Sequence, residues 1–241
     1  MTESDVAGQA APTLSQETQL VRTQGVTAPA GFRATGIAAG IKATGALDLA
    51  LVFNEGPDHG AAGVFTRNQV KAAPVLWTQQ VLTTGRLRAV ILNSGGANAC
   101  TGPGGFQDTH ATAEAVAAAL SDWGTETGAI EVAVCSTGLI GDRLPMDKVL
   151  GGVQEIVHEM AGGIAGGEEA ARAIMTTDTV PKQVALHHSV QASDNWPPSA
   201  WRRSPSTRIG SACPSTVLRC VSTGWVHPVP ARSTCPAPTS T

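Results

Sequence analysis

Tyrosine is absent from this chain, and aromatic residues make up only 4% of its 241 positions. Base stacking on aromatic platforms is therefore not expected as a mode of action. No run of about 18 apolar residues occurs, so no transmembrane helix is expected. The N-terminus, MTESDVAGQAAPTLSQETQL, lacks the basic start and apolar stretch of a signal peptide. Neither GxGxxG nor GxxxxGK[ST] is present, which argues against nucleotide-dependent chemistry. The five cysteines (Cys100, Cys135, Cys213, Cys220, Cys235) show no metal-ligand spacing. Their odd number suits a reducing compartment, and the cytoplasm is the expected location.

Charge is missing in a patterned way. All nineteen acidic residues lie at or before Asp194, no lysine follows Lys182, and the segment from Asn195 onward carries five Arg. The first 194 residues, with eleven basic against nineteen acidic side chains, carry −8 and the remainder +5. An acidic body of this kind does not seek nucleic acid.

What is present is small and apolar. Hydrophobic residues make up 42% of the chain and glycine alone numbers 27, so the core must be Ala, Val, Leu and Ile packed around small residues. The runs 46–53 (ALDLALVF), 61–66 (AAGVFT), 88–93 (RAVILN) and 131–135 (EVAVC) predict strands. A helix is predicted over 108–124, with Asp108 as N-cap and Gly124 as stop. Another is predicted over 145–160, opening on Pro145, and a third over 166–175, with Glu168 and Glu169 at its start. Mixed strands and helices indicate an α/β or α+β layered domain. After His188 the pattern collapses: eight of fifteen prolines and three of five tryptophans fall there, with no periodicity. That tail reads as disordered, or as coding sequence read in a shifted frame.

Three segments attract chemistry: 93–102 (NSGGANACTG), 135–145 (CSTGLIGDRLP) and 175–183 (MTTDTVPKQ). In the first two a strand runs into small, hydroxylated residues, leaving backbone N–H groups available to an anion or polarised carbonyl. The plainer alternative is that Gly95, Gly96 and Gly138 merely permit turns. Cys135 follows a strand but has no His nearby in sequence, and a buried Cys is more often a core residue. His187 and His188 lack accompanying carboxylates or thiols, so a surface role at a strand end is expected rather than metal binding.

TAPAGFRATGIAAGIK (27–42), VFTRNQVKAAPV (64–75), AVILNSGGANACTG (89–102), STGLIGDRLPMDKV (136–149) and IMTTDTVPKQVAL (174–186) together resemble consecutive blocks of the bifunctional ornithine acetyltransferase, or glutamate N-acetyltransferase, family. The resemblance implies a self-cleaving precursor whose new N-terminal Thr becomes the nucleophile of a β-chain, its α-amino group acting as general base. An acetyl group then passes from N-acetylornithine to glutamate through an acetyl-threonine. Members that also use acetyl-CoA as donor make acetylglutamate directly, and no cofactor is implied. Thr137 and Gly138 would form the oxyanion hole and Thr176 would contact substrate. The family assembles as two α and two β chains in a layered sheet-and-helix sandwich, so an α-chain alone would be incomplete. On this basis residues 1–24 are a flexible lead-in, 25–188 the α-chain domain and 189–241 a divergent tail. The family's KGxGM motif and Ala-Thr cleavage site are replaced after His188, so the nucleophile is expected to be missing from this chain. An inactive truncated product or ligand-binding fragment is the alternative.

Overall fold

The computed structural model describes residues 18–21 and 25–188. The tail expected after 188 lies outside the described residues. Ten elements follow in order: β1 (Thr18–Val21), β2 (Phe32–Ile37), β3 (Leu49–Asn54), α1 (Ala73–Val81), β4 (Ala89–Gly96), α2 (Gly102–Asp122), β5 (Val132–Leu139), α3 (Met146–Ile156), α4 (Gly163–Ala173) and β6 (Ala185–His188). The main sheet has the order β2-β3-β4-β5, and β1 pairs separately with β6. Its first two pairings are antiparallel, whereas β4 and β5 run parallel, joined by the crossover through α2. The α/β expectation therefore holds.

The uninterrupted apolar run of β3 has a simple cause: both faces of the strand are covered. Leu49, Leu51 and Phe53 point into the larger core with Ile91, Val116, Leu120, Val132, Val153 and Ile156. Ala50 and Val52 point the other way, onto Ala170 and Ala173 of α4. Helices α1, α2 and α3 thus cover one face and α4 the other. The second layer is thin because α4 approaches β2 almost backbone to backbone. A Cβ on Gly36 would lie 2.4 Å from the Glu169 carbonyl oxygen and 2.7 Å from Ala173 Cβ. The high glycine and alanine content is spent on this close approach.

Several expectations are corrected. Residues 61–66 form no strand; Val64 is 76% exposed, and the nearest ladder contact is the isolated bridge Gly60 to Arg86. An apolar run that no described strand neighbours has nothing to pair with. Helix α2 begins six residues before Asp108, which is no cap but a buried mid-helix side chain. Helix α3 stops at Ile156 rather than continuing to Met160. Helix α4 starts at Gly163, so Glu168 and Glu169 stand beyond its first turn, which carries no acid. Helix α1, which the composition did not single out, opens with Pro in its first turn and covers the outer edge of β5. Trp77 Nε1 donates to the Val132 carbonyl (3.0 Å). Thr78 Oγ1 donates to the Val134 carbonyl (2.8 Å) and accepts the Val134 N–H (3.1 Å). Two side chains there satisfy an edge along which no described strand pairs.

Candidate functional site

Parallel pairing brings the ends of β4 and β5 side by side, so the first two candidate segments meet. Asn93 aligns with Ser136, Ser94 with Thr137 and Gly95 with Gly138, after which the register slips at Gly95 and Gly96. The Ser136-Thr137-Gly138 stretch, expected as a turn, is the end of the strand itself, carried through an irregular register. Buried side chains hold this junction. Ser136 Oγ donates to Asn93 Oδ1 (2.5 Å), and Asn93 Nδ2 donates to the Gly96 carbonyl (2.9 Å). Gly138 has φ +133°, and a Cβ there would lie 2.4 Å from the Gly95 carbonyl carbon and 2.6 Å from the Gly96 nitrogen. Only glycine lets the two backbones come this close. Thr137 and Gly138 are half-buried, accessible from the end of the sheet.

The loop leaving β4 is preformed. Asn98 and Cys100 take left-handed conformations (φ 46° and 59°). Asn98, fully buried, donates from Nδ2 to the Gly105 carbonyl (2.8 Å) and Thr109 Oγ1 (3.0 Å), while its Oδ1 accepts from Thr101 Oγ1 (2.7 Å). These bonds offset the strain of the positive φ at Asn98. After β5, Arg143 clamps Asp108 through Nε (2.8 Å) and Nη2 (2.5 Å), fixing that loop to α2. This long-range partner explains why an acid stands in mid-helix.

The third candidate segment reaches the same end of the sheet. Thr176 is exposed just after α4, its N–H directed at Asp178 Oδ2 (3.4 Å). Lys182 pairs with Asp178, and this hydrogen bond, with the Thr176 N–H, holds the Asp178 carboxyl below its usual range. Ser94 Oγ donates to the Ala173 carbonyl (2.5 Å), so β4 grips the end of α4 directly. Lys42 Nζ donates to the Met175 carbonyl (2.7 Å) and to the Leu47 carbonyl (2.9 Å). Desolvation lowers the Lys42 pKa, partly offset by nearby Asp48. Thr137, Gly138 and Thr176 are thus linked through Gly95, Lys42 and Met175, although no direct bond joins them.

Sequence reasoning missed Lys42 and Asp48. Asp48 is fully buried and accepts the N–H groups of Ala39 (2.7 Å) and Lys42 (2.8 Å) on separate oxygens. The signal was an acid inside the apolar run 46–53, which calls for buried donors. Cys135 is buried in the sheet, consistent with a structural position. Only the backbone of His187 and His188 is described, within β6. Among the described residues no three His, Cys, Asp or Glu gather as a metal site. No described helix is long and apolar enough to cross a membrane.

Comparison with known proteins adds an independent line. A sequence model of the ArgJ family matches residues 33–196. An arginine biosynthesis bifunctional protein ArgJ of Mycobacterium bovis is 84% identical over 183 residues, 76% of this chain and 44% of that protein. One of Streptomyces coelicolor is 61% identical over 171 residues, 71% of this chain and 42% of that protein. The chain therefore spans less than half the length of these curated relatives. A crystal structure of an ornithine acetyltransferase complexed with ornithine, from Mycobacterium tuberculosis, superposes with a TM-score of 0.70 at 79% identity. The match covers 76% of this chain and 98% of that one. A Bacillus halodurans arginine biosynthesis bifunctional protein superposes with a TM-score of 0.64 at 33% identity over the same shares.

Proposed function

The chain belongs to the ArgJ family, and we propose that residues 25–188 are the α-chain portion of an ornithine acetyltransferase, contributing the oxyanion-hole half of its site. The observation that carries this reading is the close seat of Gly138 on Gly95 and Gly96 beside half-buried Thr137, at the end of two parallel strands. Such a seat holds backbone donors in place before charge develops, which is what an oxyanion hole needs. The α-chain role is supported by coverage: the match fills 98% of the solved ornithine acetyltransferase chain but only 44% of a full-length relative.

In the proposed reaction, a Thr hydroxyl from outside residues 25–188 attacks the acetyl carbonyl of N-acetylornithine. The tetrahedral oxyanion forms against Thr137 and Gly138, and each donor contributes about 3–4 kcal/mol of transition-state stabilisation. Collapse breaks the C–N bond, the general base's proton passes to the departing amine, and ornithine leaves an acetyl-threonine behind. The glutamate amine then attacks this ester through a second oxyanion, regenerating the hydroxyl and releasing N-acetylglutamate. Where acetyl-CoA serves as donor, the same scheme applies with the C–S bond breaking instead. Thr176 contacts the amino-acid part of the substrate. The assembly is two α and two β chains, acting in the cytoplasm without a cofactor or metal, and without nucleic-acid or membrane partners. The β-chain completes the sheet-and-helix sandwich.

The sequence after His188, which departs from the family's KGxGM and Ala-Thr, favours a second reading as an inactive, ligand-binding product without the Thr nucleophile. The two separate in one assay: acetyl transfer from N-acetylornithine to glutamate by purified chain, with and without a separately supplied β-chain. The α-chain reading expects turnover only in the mixture. Turnover by the chain alone would overturn the claim that the nucleophile lies elsewhere, and none in the mixture would favour the inactive product.

A further inference from the structure

The segment that presents Thr176 has little regular structure of its own, for it follows the last turn of α4 and precedes β6 by several residues. Its position is imposed from the other side of the sheet end. Asp48, buried immediately before β3, folds residues 39–42 back on itself by accepting two of their N–H groups, while its own carbonyl accepts the Ser94 N–H (2.8 Å). The loop carrying Lys42 is thereby tied to β4 immediately before Gly95. Lys42 then crosses Gly95, its Cγ 3.4 Å from where a Cβ on that glycine would stand. At the far end its ammonium bridges two carbonyls, Leu47 of its own loop and Met175, the residue before Thr176. Charge-assisted bonds of this kind hold more firmly than neutral ones.

We propose that Lys42 is a positioning residue that fixes Thr176 relative to Thr137 and Gly138 through the Met175 carbonyl. It acts from beside Gly95, the residue on which Gly138 is seated, so one side chain sets the spacing between the oxyanion donors and the substrate contact. The inference rests on the acetyl-transfer reading only for what Thr176 binds; the mechanical coupling of Lys42 to residues 174–178 stands apart from it. A lysine that merely satisfied two carbonyls would affect stability and leave substrate affinity in the folded enzyme unchanged.

The test uses this chain mixed with a separately supplied β-chain. Lys42→Met keeps the alkyl stem across Gly95 and removes every donor, Lys42→Arg restores donors, and Lys42→Gln serves if the methionine variant does not fold. Amide hydrogen exchange, which needs no turnover, should show residues 174–178 exchanging about tenfold faster in Lys42→Met while Leu51 and Ile91 keep their protection. In kinetics, KM for N-acetylornithine should rise about tenfold with kcat changing by less than about threefold, and Lys42→Arg should recover most of the loss. Unchanged exchange at 174–178, loss of protection spread evenly over the sheet, or a fall in kcat at constant KM would each overturn the assignment. Absence of turnover in the unmodified pair would instead count against the acetyl-transfer reading, and the exchange result would still decide the role of Lys42.

Discussion

Replacing Gly138 by alanine tests the seat of β5 on β4 most directly. At φ +133° a side chain is strained whatever its surroundings, at a cost of about 1–3 kcal/mol. The added Cβ would also stand 2.4 Å, 2.6 Å and 2.7 Å from the Gly95 carbonyl carbon, the Gly96 nitrogen and the Gly95 carbonyl oxygen. All three are backbone atoms of the β4–β5 ladder, so no rotamer change relieves the clash, and overpacking adds about 1–3 kcal/mol. Gly141 supplies the control. It also has positive φ, +100°, but a Cβ there meets nothing within 4 Å. Gly141→Ala should therefore show the conformational cost alone, leaving a gap of about 1–3 kcal/mol between the two variants. Against the total stability of a domain, about 5–15 kcal/mol, that gap is readily measured. Urea unfolding followed by far-UV circular dichroism should place the Gly138→Ala midpoint about 0.5–1.5 M below that of Gly141→Ala. Coincident midpoints would refute the close approach of the two strands, and with it the reason for glycine at this position.

Three further outcomes are expected. In a mixture of the chain with a separately supplied β-chain, Thr137→Ala should lower kcat by about a hundredfold or more with little change in KM, because the lost donor matters mainly once charge develops on oxygen; an unchanged kcat per folded site would end the oxyanion assignment. Thr78→Val keeps the shape of the side chain but strands the buried N–H and carbonyl of Val134, and should cost about 2–4 kcal/mol in denaturant unfolding, whereas a loss under about 0.5 kcal/mol would show that the β5 edge does not depend on α1. Burial, then Arg88 and Arg86, hold His59 below its ordinary 6.5, and its buried Nδ1 has no hydrogen-bonding partner among the described residues. Well above pH 6.5 the imidazole is neutral in both states and contributes no slope; as pH falls through 6.5 the unfolded chain takes up a proton that the folded chain resists, so stability should fall with falling pH. His59→Asn should flatten that fall, and an identical slope in the variant would refute the attribution.

Local composition was enough to read β3, β4 and β5, since Val, Ile and Leu runs ending at Gly, Asn or Ser leave little other choice. The same holds for the bodies of α2, α3 and α4, rich in strong helix formers. The three candidate segments were also legible, because small hydroxylated residues beside strand ends are a property of sequence order. Where each element starts and what it touches was not. Residues 61–66 carry strand-like composition, yet a strand exists only with a partner, and among the described residues none lies alongside. Asp108 looks like a cap until Arg143, 35 residues away, reaches it in mid-helix. The Thr137-Gly138 stretch reads as a turn because glycine usually marks one; here Gly138 marks contact with Gly95, a neighbour supplied only by the parallel crossover. Lys42 and Met175 are separated by 133 positions, and nothing in either neighbourhood announces the bond between them. Sequence determines what depends on neighbours along the chain, namely propensity, patterning and chemical type. Tertiary structure alone decided which donors, acceptors and bare backbones meet, because hydrogen bonds and close packing act over a few ångströms and are blind to separation along the chain.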